Sequence, residues 1–137
     1  MTEPKRILVA VCSEDDALVF AVLGGHFDFK ICHSLNDAVA NLDQSCNLIV
    51  CGVHFDHGAM FDLLAETLSH PTACSIPFFL VLSEETRYSE SVIEGIRSAA
   101  EVRGVDKFID LWEFRVHTDD QQMLEALRKI VRDVLFP

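Results

Sequence analysis

The sequence predicts an α/β domain built on a five-stranded parallel sheet. Three observations predict it: short apolar runs without alternation, helix-spaced segments between them, and the regular succession of the two along 137 residues. Ile7 to Cys12, Leu48 to Val53 and Phe78 to Leu82 are unbroken apolar runs, as expected of strands buried on both faces. Phe27, Phe29 and Ile31 instead alternate with Asp28, Lys30 and Cys32, which predicts a half-exposed edge strand. A fifth strand is expected near Val105 to Leu111.

Between the strands, apolar residues recur at helical spacing: Leu18, Val19 and Val22; Leu35, Ala38, Val39 and Leu42; Met60, Leu63, Leu64 and Leu68; Val92, Ile93, Ile96, Ala99 and Ala100; and Met123, Leu127, Ile130, Val131 and Val134. Ser13 with Asp16, Ser34 with Asp37 and Thr118 with Gln121 match the capping-box pattern that satisfies free amides in a first helical turn. Gly24-Gly25 and Gly104 supply stops. Right-handed crossovers and the edge character of the second strand select the order 2-1-3-4-5, a flavodoxin-like (βα)5 three-layer sandwich. In that order the crevice opens between strands 1 and 3 at their carboxyl ends, beside the loops after Cys12, Gly52 and Ser83.

The length suits one domain covering residues 1–137. No signal-peptide pattern and no apolar stretch near membrane-spanning length is present, so the expected location is cytoplasmic, with no membrane partner. Five scattered cysteines, Cys12, Cys32, Cys46, Cys51 and Cys74, form no CxxC pair and are expected as reduced thiols packed as small hydrophobes. The net charge of −11 repels phosphate backbones and argues against a nucleic-acid partner. Neither GxGxxG nor GxxxxGK[ST] occurs, so no glycine-rich cradle for a nucleotide is expected.

Around the crevice, Glu14, Asp15 and Asp16 have two readings: oxygen ligands for Mg²⁺, or acids placed on a first helical turn by the helix dipole. His54, Asp56 and His57 form a His-x-Asp-His cluster that could ligate a transition metal, given a third ligand such as Cys12, His33 or Asp62. The expectation is a solvated loop there, with no metal and no cofactor. Pairing Cys51 or Cys12 with His54 lacks an orienting third group, so nucleophilic catalysis is not expected.

Four segments in order carry a resemblance. KRILVAV, NLIVCGVHFDHGAMFDLL, IPFFLVLS and GVDKFIDLWEF resemble the first, third, fourth and fifth strand regions of response-regulator receiver (CheY-like) domains. The resemblance implies a phosphorylation pocket with an acidic pair after strand 1, a phosphoacceptor Asp ending strand 3, a Ser or Thr ending strand 4 and a Lys ending strand 5. In this chain those positions fall on Val11 and Cys12, on Gly52, on Ser83 and on Leu111. Gly52 has no side chain to accept a phosphoryl group. A shifted alignment would bring Glu14 and Asp15 nearer, and rescue by Asp56 would need a register shift of the third strand. Ser83 and Phe108 match switch-like positions.

The resemblance also places Trp112, Phe114 and Arg115 beside the fourth helix, fifth strand and fifth helix, a face used for dimerisation or effector contact. They either form a partner surface there or cover the bottom of the core. The segment EETRYSES suggests a remodelled loop after Ser83. The function expected is a stand-alone, atypical receiver-like signalling domain of two-component systems. It is not an enzyme, acts through a protein partner or as a homodimer, and works independently of phosphorylation. The alternative is a ligand- or metal-binding sensor that uses Cys12, Cys51, His54 and His57.

Overall fold

The structure is a computed structural model and describes residues 5–42, 46–83, 88–117 and 119–137, with backbone alone at 115–117. Its strands are β1 (Arg6–Ala10), β2 (Asp28–Cys32), β3 (Leu48–Gly52), β4 (Phe78–Leu82) and β5 (Lys107–Asp110). All pair in parallel in the order β2-β1-β3-β4-β5. Around them lie α1 (Asp16–Leu23), α2 (Leu35–Ala40), α3 (Met60–Ser69), α4 (Glu90–Arg103), α5 (Leu111–His117) and α6 (Asp120–Leu135). No described helix is long and apolar enough to cross a membrane.

The sheet's two faces build two apolar cores. Leu8, Ala10, Ile49, Cys51, Leu80 and Leu82 pack toward residues of α2, α3 and α4. Their neighbours Ile7, Val9, Val11, Leu48, Phe79 and Ile109 pack toward α1 and α6. This period-2 division of runs that are apolar throughout is what a doubly covered parallel strand requires. Each fully buried Leu or Ile adds roughly 1.5–3 kcal/mol of transfer free energy. Arg128 ties α6 to α1, its Nε and Nη2 donating to the carbonyls of Val22 and Ala21 at 2.9 and 2.8 Å. Those carbonyls lie in the last turn of α1, where a cation is favoured.

The helix starts depart from the sequence expectation at two places. Ser34 caps α2 as expected, its Oγ accepting from the amide of Asp37 at 3.1 Å. Ser13 makes no such bond: the chain first forms a 3-10 turn over Ser13–Asp15, and α1 starts at Asp16 without a side-chain cap. Thr118 lies outside the described residues, and the capping box of the last helix is Asp119 with Gln122. Residues 111–117, for which the sequence reading names no element, add a further helix. They form α5, nucleated by Asp110 Oδ1, which accepts from the amides of Trp112 and Glu113 at 3.0 and 3.4 Å.

Candidate functional site

The carboxyl ends of β1, β3 and β4 open into a crevice of about 870 Å³ lined by Cys12, Glu14, Asp15, His33, Asp56 and Ser83, with His54, His57 and Tyr88 among its other walls. β1 and β3 pair in register from Ile7 with Leu48 to Ala10 with Cys51. β3 therefore ends with Gly52 at the crevice floor, without the register shift that Asp56 would have needed. A Cβ built on Gly52 would stand 3.4 Å from Val11 Cγ1 and 3.6 Å from Asp15 Oδ2. Those are spacings of ordinary contact, so packing alone does not impose a glycine.

Asp15 provides the carboxylate nearest that point. The 3-10 turn that replaces the expected helix start turns it inward, and its Oδ2 accepts the Cys12 thiol proton at 3.4 Å. Burial pushes the Asp15 carboxyl above its usual range, with Glu14 and Asp16 adding to the rise against the opposing pulls of the Cys12 hydrogen bond and His54. Burial likewise raises the Cys12 thiol, and the adjoining Asp15 carboxylate raises it further. That keeps Cys12 a thiol and not a nucleophilic thiolate. Asp15 is therefore a crevice-facing group, while Asp16 stands in the first turn of α1, as the dipole reading expects. Asp16 holds His33, whose Nε2 lies 2.9 and 3.0 Å from its two oxygens.

Asp56 is committed elsewhere. Its backbone is left-handed at φ 40°, a conformation that Asp tolerates better than most residues. Its Oδ2 accepts the Leu35 amide at 2.7 Å, at the first turn of α2. His57 is exposed, and the ring of His54 lies 4.9 Å from that of Tyr88. Cys51 does not belong to the crevice at all. It is fully buried in the opposite core, its thiol 3.6 Å from the Gly52 carbonyl. The grouping of Cys12, Cys51, His54 and His57 is thereby divided: Cys12, His54 and His57 line the crevice, and Cys51 lies in the core toward α2, α3 and α4. All five cysteines are free.

The remaining expected positions divide in the same way. Val11 and Leu111 are buried in the core against α1 and α6, so neither side chain points a polar group into the crevice. Among the described residues lining the crevice there is no Lys or Arg. Ser83 follows β4 and reaches the crevice. Phe108 is half-buried, with the Arg97 guanidinium 4.7 Å above its ring. Trp112 is 59% exposed, while Phe114 packs partly against the core over α6. Phe114 thus helps to cover the core, and Trp112 does not. The Arg115 side chain and residues 84–87 of the EETRYSES segment lie outside the described residues.

The chain matches no family model and no curated protein. Solved structures do match. The phosphorylated cyanobacterial phytochrome response regulator RcpA superposes with a TM-score of 0.72 at 16% identity, over 98% of this chain and 96% of that one. This is a receiver fold. The receiver domain of a sensor histidine kinase from Pseudomonas aeruginosa, solved with magnesium in its active-site cleft, gives 0.72 at 11% identity over 98% and 100% of the two chains. The Mn²⁺-bound response regulator Rcp1 gives 0.66 at 20% identity over 97% and 96%.

A divalent ion of the kind those two receivers hold does not suit the side chains of this crevice. Mg²⁺ takes oxygen ligands in near-octahedral geometry, usually including one or two carboxylates. Here Val11, Cys12 and Gly52 supply no carboxylate, and of the carboxylates that do line the crevice, Glu14, Asp15 and Asp56, Asp56 accepts the Leu35 amide instead. Among the described residues no group of three His, Cys, Asp or Glu gathers at metal-holding distance.

Proposed function

We propose that the chain is an atypical receiver domain of two-component-type signalling, which works without phosphorylation, cofactor or enzymatic activity and passes its signal by binding a protein partner. One observation carries the reading. The tip of β3, where a receiver presents its nucleophile, is Gly52, and the side chain after β5 is the buried Leu111. Phosphoryl transfer to a carboxylate needs the nucleophile in line and positive charge on the phosphoryl oxygens. The described crevice offers carboxylates at Glu14, Asp15 and Asp56 and no Lys or Arg to offset them. It repels a phosphoryl donor more than it holds one.

The face of α4, β5 and α5 supports the partner role. Trp112 stands exposed there beside half-buried Phe108 and Phe114, and aromatic residues are common interface anchors. The test of the phosphorylation claim is intact-mass measurement after incubation with a small phosphodonor and Mg²⁺. An unchanged mass is expected. A single phosphoryl adduct, lost in Asp15→Asn or Asp56→Asn, overturns the reading. Sedimentation tests the homodimer: wild type is expected to self-associate and Trp112→Ala to sediment as a monomer. A wild-type chain that stays monomeric leaves a different protein as the partner.

A further inference from the structure

Beneath the crevice floor, between the sheet and helices α1 and α6, lies a cavity of about 90 Å³. Its walls are apolar, formed by Val9, Val19, Val50, Phe79 and Leu127 among others. It meets the crevice at Asp15, Leu18 and Ser83, which line both spaces. Among the described residues that line it, Asp15 and Ser83 are the only polar side chains. Gly52 and Leu111 also line it, so the two positions that leave the crevice without a nucleophile and a cation also keep the cavity wide and apolar.

Close-packed interiors leave few such voids. An apolar cavity on the order of 150 Å³ stays dry and takes benzene-sized guests; this one is about three-fifths of that, but it opens into the crevice at Asp15, Leu18 and Ser83, so it suits a short alkyl chain or a small ring that stands partly in the mouth. The mouth selects what the guest carries. Glu14, Asp15 and Asp56 face the entrance without a described Lys or Arg, which opposes anions and favours cations. Among the described residues, the donor to Asp15 is the weak thiol of Cys12, at 3.4 Å, and an ammonium is a far stronger donor to a carboxylate.

We propose that this cavity and its mouth form a binding site for a small primary amine with an apolar body, the body between the sheet and α1 and the ammonium on the carboxylate of Asp15. The proposal does not rest on the partner-binding reading, and the phosphodonor experiment stands whatever its outcome.

Calorimetric titration of the full chain at neutral pH with benzylamine, toluene and benzoate tests it. Benzylamine is expected to bind saturably at one site, toluene about 10-fold or more weakly, as one charge-assisted hydrogen bond predicts, and benzoate not at all. Asp15→Asn is expected to bring benzylamine down to the toluene level and leave toluene unchanged. Gly52→Val, which closes the mouth, and Val19→Phe, which fills the cavity from the helix side, are each expected to abolish binding of both. Circular dichroism shows which of these variants has folded, and either one suffices. The proposal is overturned if benzylamine fails to saturate, binds no better than toluene, is indifferent to Asp15→Asn, or still binds to a folded cavity-filling variant.

Discussion

At the end of β5, Arg97 of α4 reaches Asp110, Glu113 and Glu94 at 3.6, 3.9 and 3.5 Å and lays its guanidinium over Phe108. At the ends of β1 and β3, Glu14, Asp15 and Asp56 line a crevice whose described lining contains no Lys or Arg. Both regions bring carboxylates to the same edge of one sheet, yet only the first neutralises them. In the crevice the carboxylates are met instead by the Cys12 thiol on Asp15 and by the Leu35 amide on Asp56. A scaffold of this shape can therefore keep its sheet intact while the chemistry at the strand tips is exchanged. The sheet is held by apolar burial on both faces, in which Glu14, Asp15 and Asp56 take no part.

The largest expected effect breaks the apolar floor that separates the crevice from the core. Leu111→Ala removes a side chain that is 1% exposed and enlarges an existing cavity, which should cost about 2–5 kcal/mol in urea denaturation. Next comes the neutralised region. Arg97→Ala removes a cation–π contact and three partly exposed ion pairs and should cost about 1–2 kcal/mol. A similar loss from Lys129→Ala, whose pair with Asp133 is exposed, would mean that the β5 cluster contributes no more than an ordinary surface pair.

The crevice should respond with the opposite sign. Burial raises the Asp15 carboxyl, so its favourable contribution is complete below the unfolded value of about 3.9 and is lost as pH rises through the raised native value. At neutral pH the ionised group costs stability. Asp15→Asn is expected to unfold at higher urea than wild type at pH 7, with the gap shrinking as the pH falls toward 4. A gap that grows on acidification would contradict the assigned direction.

The smallest effect is kinetic. Asp15 raises the Cys12 thiol, so Asp15→Asn should speed alkylation of Cys12 at fixed pH. It should leave the exposed Cys74 unchanged and the buried Cys32, Cys46 and Cys51 protected. Equal rates at Cys12 in both proteins would show that burial alone sets its reactivity.

The sheet was legible because each buried strand is an unbroken apolar run and β2 alone alternates, which leaves one edge assignment and one order. The helix starts were legible where the cap is local, as at Ser34. They failed where a tertiary contact competes for the acid, as at Ser13 to Asp16, where Asp15 goes to Cys12 and Asp16 to His33. Helix α5 escaped notice because seven residues are too few to establish a 3.6 period, and Trp112, Phe114 and Val116 happen to alternate. Asp110 followed three residues later by Glu113 was the local signal that could have found it. The commitment of Asp56 to Leu35, 21 residues earlier in the chain, and the placing of Tyr88 over His54 have no sequence signature, since both depend on which loops the fold brings together.

Titration with Mg²⁺ followed by amide NMR tests most directly whether the crevice has given up ion-assisted phosphoryl chemistry. The account predicts that the amides of Gly52, Val53 and Ser83 stay in place through millimolar Mg²⁺, apart from small non-saturating drifts shared with other acidic surfaces. Saturable shifts centred on those three residues and on Asp15, at concentrations that leave the rest of the spectrum fixed, would contradict it.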